Sequence, residues 1–395
     1  MITSEGAAGP LVIDIGSSCV RAGFAGCAKP SFVEKCLLGR SEKENKFPIS
    51  FEQPCSNTEV IPIWKASENA IKGMELINED SLYGILEKTV KDYHTGYRSE
   101  EAESSSLTMS PVLISEPSVQ NVNYRQKVIQ YLFEKLGARA AFVCKRSVLS
   151  AFSLGKTNAL VVSVGAGVTG VSCVVGGHAS QHFYSSWNVA GNALDAEVRD
   201  RLRAQNANCN FLPKSYKFGM DVSSSFLEYA EMFHVRRMKE EVCRVAENRD
   251  IRVNVSNAAY ELPDGTLLDC SKVAQSVPEM VFSGKGKNLG LMVQEVIEKQ
   301  KSADESLATS LLESVVVCGG STAMTGFTER VQNDLSQMYS GSVVKCFSGQ
   351  TSEDKQHSAW IGGSIVGSLG AFANLWITKR EYEEHGIGIV GKKCP

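Results

Sequence analysis

The chain has 395 residues, with 41 Lys plus Arg against 44 Asp plus Glu and a formal net charge of −3, so an overall basic footprint for nucleic acid is absent. With 43% hydrophobic and 22% charged residues, the composition is that of a globular protein and excludes disorder, collagen and coiled coil. At ~150 residues per domain the length suggests two to three domains or one large duplicated unit.

Residues 11–15 (LVIDI) read as a buried strand, GSS as a tight turn and CVRAGFAG as a second strand. Residues 37–81 are polar, and a small, loosely structured insertion is expected there. PVLIS (111–115) is another buried strand. NVNYRQKVIQYLFEKLG has helical spacing in Val128, Ile129, Leu132, Phe133 and Leu136. AAFVC (140–144) reads as a strand and RSVLSAFSLG as a short helix. The pattern then restarts: ALVVSV (159–164) is a strand, GAG a turn and VTGVSCVVGG a strand, and a helix follows Gly191. Residues 226–247 read as a longer helix, YELPDGTLL (260–268) as a hairpin edge, and SVVVCGG (314–320) as a strand that ends in glycines before a helix. The tail from Trp360 is expected to be largely helical.

The twelve cysteines are scattered singly, with no C-x-x-C spacing, so neither a zinc site nor a thioredoxin-like motif is read. Reduced, mostly buried thiols in a cytosolic or nuclear protein are expected. MITSEGAAGP has no basic region followed by an apolar run, so no signal peptide is expected. The longest uncharged stretch, Thr157 to Leu194, is long enough for a membrane span, but its period reads as two strands and a turn.

LVIDIGSSCVRAGFAG and LVVSVGAGVTGVSCVVGG share one form: a buried strand, a turn of three small residues and another strand. They lie about 150 residues apart, each opening a strand-and-helix half, which suggests a duplicated α/β protein with a cleft between its halves. A tight turn of Gly and Ser directs backbone N–H groups toward one point, a nest suited to phosphates. Alone, each turn is an ordinary hairpin; three of them in a duplicated frame favour the anion site. Asp14 ends a buried strand beside Gly16, where an acid calls for a cation or a donor.

LVIDIGSSCVRAGFAG, YELPDG, CGGSTAMTGF and above all WIGGSIVGSLGAFANLWITKREYEEHG resemble actin and the actin-related proteins. The resemblance runs in order from about residue 10 to the C-terminus, poorest over 37–81, about 205–225 and 283–312. KKCP at the end, SLGAF in the tail and AFVCKRSVLSAF are closest to the nuclear branch of that family. The resemblance implies an α/β, duplicated actin-like (ribonuclease-H-like) fold, with two lobes and four subdomains around a nucleotide cleft. Subdomain 1 would be 1–36, 82–153 and 358–395; subdomain 2 a divergent 37–81; subdomain 3 154–189 and 283–357; subdomain 4 190–282.

Carried over residue by residue, Asp14, Gly16, Ser17, Ser18, Cys19 and Arg21 fall on the first phosphate loop. Gly165, Ala166, Gly167 and Val168 fall on the second, and Gly191 on the ribose-side turn. Lys239 and Glu240 match the pair beside the nucleoside, and Gly319, Gly320, Ser321 and Met324 the adenosine loop, with Gln356 replacing a base-side Lys. Actin positions its attacking water with a Gln, an Asp and a His; Arg146, Ser163 and Gly170 stand there instead. Phosphoryl transfer depends on such positioning and on metal-held charge, so no meaningful ATPase activity is expected. Of the carboxylates that hold hydrated Mg²⁺, only Asp14 remains. ATP or ADP binding, structural in role, is the expectation, with Arg146 either helping to hold phosphates without metal or pairing with Asp14 and filling the cleft.

The family groove that accepts amphipathic helices maps onto Phe142, Lys145, Phe152, Val366, Leu369 and Phe372. Lys145 replaces an apolar residue, which suggests an acid on the partner; Phe142, Phe152 and Leu369 also read as simple core. The resemblance implies nuclear actin and a helicase-SANT-associated helix of a remodeller ATPase or acetyltransferase scaffold as partners, with histones a further class. It implies a nuclear location with some cytoplasmic protein, no membrane and no self-polymerisation. A filament-forming ATPase and a dynactin-type cytoplasmic subunit are the competing readings; ATP-dependent sedimentation and copurifying partners separate them.

Overall fold

The computed structural model describes residues 9–42, 45–66, 74–76, 78–95, 110–119, 121–206, 209–217, 221–249, 258–284 and 286–394. Two sheets organise the chain, each with its own apolar core. The first runs, edge to edge, Ile377–Thr378, Ala140–Lys145, Val112–Glu116, Leu11–Ile15, Cys19–Phe24 and Phe32–Lys35. The second runs Cys346–Ser348, Val315–Cys318, Ala159–Val164, Thr169–Val175 and His178–Trp187.

Stripped of the short strand Ile377–Thr378, the two sheets have one order. In both, the opening strand pairs antiparallel with the next and parallel with a later one. The duplication read from the sequence is therefore a duplication of topology. The opening strands are continuous apolar runs because parallel strands are covered on both faces; Leu11, Ile13, Leu160 and Val162 are each 0% exposed.

Helix Ser352–Ser368 joins the halves. It starts at a capping box in which Thr351 Oγ1 accepts from the Asp354 N–H and Asp354 accepts from the Thr351 N–H. Its Trp360 donates Nε1–H to the Val12 carbonyl at 3.1 Å. Glycine is required at 362, since a Cβ there would lie 1.8 Å from the Leu149 carbonyl oxygen of helix Arg146–Phe152. The tail is less helical than expected: a 3₁₀ turn at Gly370–Asn374 and the strand Ile377–Thr378 precede helix Lys379–His385.

The described residues of 37–81 are more ordered than the polar sequence suggests. Leu37–Arg40, Asn45–Lys46 and Glu59–Pro62 form a small sheet, Trp64–Ala66 pairs with Met74–Leu76, and a helix begins at Glu79. Strands of two to four residues are too short to show a period. Helix Leu289–Ala303 was also not read from the sequence. All twelve cysteines are free thiols, and only Cys27 is exposed.

Candidate functional site: a cleft between two glycine turns

The turns after the two opening strands close identically. Gly16 N–H donates to the Cys19 carbonyl at 2.8 Å, and Gly165 N–H to the Val168 carbonyl at 3.0 Å. The turns also touch: Gly167 N–H donates to Ser17 Oγ at 3.0 Å. The third turn packs behind the second. Ser321 Oγ donates to the Gly165 carbonyl at 3.0 Å. Gly319 has φ +102°, and a Cβ there would sit 2.5 Å from the Val164 oxygen, so only glycine fits.

A cavity of about 530 Å³ opens between these turns. Every residue carried onto the nucleotide loops lines it except Gly167, and Arg146, Ser163 and Gln356 line it too. Gly170 does not. The space a side chain would take there is held by Tyr184, whose Oη lies 3.0 Å from an ideal Cβ and which itself faces the cavity.

Two charge networks flank the cavity. In the first, Asp14 Oδ1 accepts from Ser115 Oγ at 2.5 Å and from Arg146 Nε at 2.9 Å, while Oδ2 accepts from Arg21 Nη1 at 3.2 Å. Arg146 also donates Nη2–H to the Ile15 carbonyl, and Arg21 donates Nε–H to His357 Nδ1 at 2.6 Å. Burial pushes the Asp14 carboxyl up, but Arg146, Arg21 and the Ser115 hydroxyl together outweigh it and hold it below its ordinary value. In the second network, buried Asp195 pairs with Arg236 Nε at 2.9 Å and Lys239 Nζ at 2.5 Å. Arg236 reaches across to Ser18 Oγ at 2.7 Å, so it ties helix Ser224–Val242 to the first turn.

Three expectations change here. The N–H groups of Gly16, Gly165, Gly167 and Gly191 are engaged within the protein, so anion attraction rests more on side chains than on these backbone groups. Asp14 does not fit as a holder of hydrated Mg²⁺: both oxygens are bonded to the chain's own groups and its side chain is 5% exposed. Lys239 lines the cavity but directs its ammonium inward, to Asp195 and the Gly191 carbonyl. Sequence reasoning missed Arg236 and Tyr184. The position of Arg236, one helical turn before Lys239, put it on the same face; nothing in the sequence marked Tyr184.

Apolar contact ties the segment that follows the first sheet to helix Ser224–Val242. Ile49, Phe51 and Val60 pack with Phe226 and Ala230 of helix Ser224–Val242. Val60 N–H donates to Ser225 Oγ at 3.0 Å and Tyr216 Oη to the Phe51 carbonyl at 2.9 Å.

The groove residues divide. Phe142, Lys145 and Val366 are buried, and Phe152 is half-buried. Lys145 is no partner contact: its Nζ donates to the Ala179 carbonyl at 2.5 Å, linking the two sheets. Burial lowers its pKa, partly opposed by Glu116. Leu369 is 54% exposed, with Leu375 and Ile365 exposed nearby in sequence. Half-buried Phe372 stacks edge-on against Phe142 at 4.7 Å.

A nucleotide-sized cleft between duplicated strand–turn–strand units is the architecture of actin, and the actin family model matches residues 6–395. The chain belongs to the actin family. It is similar to actin-related protein 4 of Oryza sativa subsp. indica, 27% identical with 98% of each chain covered. It is likewise similar to actin-related protein 4 of Schizosaccharomyces pombe, 26% identical with 97% of each covered. Actin-related protein 4 of Arabidopsis thaliana is 30% identical over 73% of this chain and 72% of its own.

Proposed function

We propose that this chain is a non-catalytic actin-related subunit of nuclear chromatin-remodelling or histone acetyltransferase complexes. In this reading it holds ATP or ADP structurally and docks a helicase-SANT-associated helix beside actin. The near full-length likeness to actin-related protein 4 in plants and a yeast supports the subunit role. Exposed Leu369 beside half-buried Phe372 offers apolar surface for the helix. The division into four subdomains, 1–36 with 82–153 and 358–395, 37–81, 154–189 with 283–357, and 190–282, belongs to the same proposal, as does the nuclear location.

The loss of hydrolysis rests on one observation above the others. Arg146, a cation that cannot act as a base, is bonded to Asp14 where the family's water-positioning Gln would stand. Ser163 and Gly170 supply no acid or imidazole in its place. Nucleotide itself fits the residues present. The cavity volume is within the ~300–1,000 Å³ range of small-molecule sites, and Arg21, Lys35, Arg146, Arg236 and Lys239 outnumber Asp14, Asp195 and Glu240 around it. Gly319–Ser321 and Met324 would hold the adenosine, Glu240 the ribose side with Lys239 bracing it through Asp195 and Gly191, and Arg21 and Arg146 the phosphates. Bound nucleotide would supply anionic charge that draws the two lobes together.

The test is affinity purification of the tagged protein from nuclear extract, with partner identification and chromatography of released nucleotide. Actin together with a remodeller ATPase or acetyltransferase scaffold, and intact ATP or ADP, is the expected result. Cytoplasmic partners alone would overturn the nuclear role, and rapid ATP hydrolysis by the pure protein would overturn the non-catalytic one.

A further inference from the structure

We infer that the cleft binds its nucleoside polyphosphate without a divalent cation, with the Arg146 guanidinium as resident counter-charge. This rests on the nucleotide reading above and narrows it to one chemical form of the ligand.

The first support is the donor set. Beside a polyphosphate a hydrated divalent ion keeps several waters and is fixed by the phosphates and one or two carboxylates. Among the described residues no group of three or more His, Cys, Asp or Glu side chains could hold a metal. Register makes Ser163 the counterpart of Asp14: Asp14 pairs with Arg21 across the first hairpin, and Ser163 with Gly170 across the second. The second turn itself carries Ala166. Asp14 is thus the acid at the base of the two turns, and both its oxygens are already bonded to Ser115, Arg146 and Arg21.

The second support is what occupies the metal's electrostatic role. Arg146 is bonded to Asp14 and to the Ile15 carbonyl at the root of the first turn. It still lines the cavity, with its side chain 27% exposed. With Nε and Nη2 bonded to Asp14 and Ile15, Nη1 is the guanidinium nitrogen left to donate to a phosphate oxygen. A divalent ion placed against Asp14 would meet this fixed charge at close range, where repulsion is weakly screened. The same residue therefore supplies attraction for the phosphates and disfavours the metal.

The experiment is isothermal titration of the full chain, stripped of nucleotide, with ATP in excess EDTA and again in excess magnesium chloride. Excess magnesium converts nearly all ATP to its magnesium complex, so the expected result is an apparent Kd at least roughly tenfold weaker in magnesium than in EDTA. Equal affinity in the two conditions overturns the exclusion of the ion. Arg146→Gln is expected to weaken binding in EDTA by roughly 10- to 100-fold, the loss of charge-assisted hydrogen bonds. In Arg146→Gln the penalty from magnesium should shrink, because the fixed charge that repels the ion is gone while Asp14 keeps only Ser115 and Arg21. Arg146→Lys, which keeps the charge, should bind in EDTA better than Arg146→Gln. Thermal melts of both variants establish that they are folded, and Arg146→Lys carries the comparison if Arg146→Gln is not. ATP binding that appears only with magnesium overturns this inference and leaves the nucleotide reading standing. Unchanged EDTA binding by folded Arg146→Gln overturns the role of Arg146. Absence of ATP binding by the wild type in both conditions overturns the nucleotide reading itself.

Discussion

The two glycine turns have one backbone and two chemistries. Each is closed by the same hydrogen bond between its first glycine and the carbonyl three residues on. Each joins strands in the same register. The first turn nevertheless sits on a buried ion network of Asp14, Arg21 and Arg146, whereas the matching positions of the second are Ser163 and Gly170. Backbone closure depends on small residues and strand pairing, which survive many side-chain changes. Charge chemistry depends on single residues, and one half can lose it without losing its shape.

Removing Asp14 should break this contrast most strongly. Asp14→Ala leaves Arg21 and Arg146 without their shared carboxylate in a largely buried place, an expected loss of about 3–5 kcal/mol. Its counterpart Ser163→Ala should cost less than about 1.5 kcal/mol. Denaturant midpoints of the two variants give the comparison directly. The effect of Asp14 should also depend on pH in a defined sense. Its folded pKa lies below the ordinary 3.8, so its stabilisation is complete above that value and disappears as pH falls through the folded pKa. Acid unfolding of Asp14→Ala should lack that component.

A side chain at the second turn is the next test. Gly170→His would drive its Cβ to 3.0 Å from Tyr184 Oη, an overpacking cost of about 1–3 kcal/mol. Tyr184→Ala in the same chain should relieve part of it, so the two changes should be non-additive in a double-mutant cycle. Additive costs would show that Tyr184 does not hold the vacated space.

The smallest effect should come from His357, which accepts from Arg21 and faces Glu353 as well. Burial and then Arg21 lower its pKa from 6.5. Below pH 6.5 the unfolded chain takes up a proton that the folded form resists, so stability falls with pH until the folded pKa is passed. His357→Asn keeps an acceptor for Arg21 and should remove that slope. An unchanged slope would place the titration elsewhere.

Much of the framework was legible. Apolar runs such as LVIDI and ALVVSV mark strands buried on both faces, and the small residues after them mark turns; both signals are local. The resemblance then brought sixteen of the seventeen residues carried onto the nucleotide loops to the wall of one cavity, leaving out Gly167. The small sheets of 37–66 were not legible, because their strands are short and are stabilised by packing of Leu38, Ile63 and Phe51 against distant helices.

What the sequence determined by itself was the duplicated strand–turn–strand frame and the residue types it sets beside the turns, Arg146, Ser163 and Gly170 among them. Tertiary structure alone decided what those residues do. Lys145 became an internal tie to Ala179 rather than a partner contact, and Arg236 became a link to Ser18, 218 positions away. It also decided that Asp14 satisfies cations of its own chain. Hydrophobic period and turn chemistry act over a few residues. The partner of a buried charge is fixed only when segments hundreds of residues apart are brought within hydrogen-bonding distance and water is excluded.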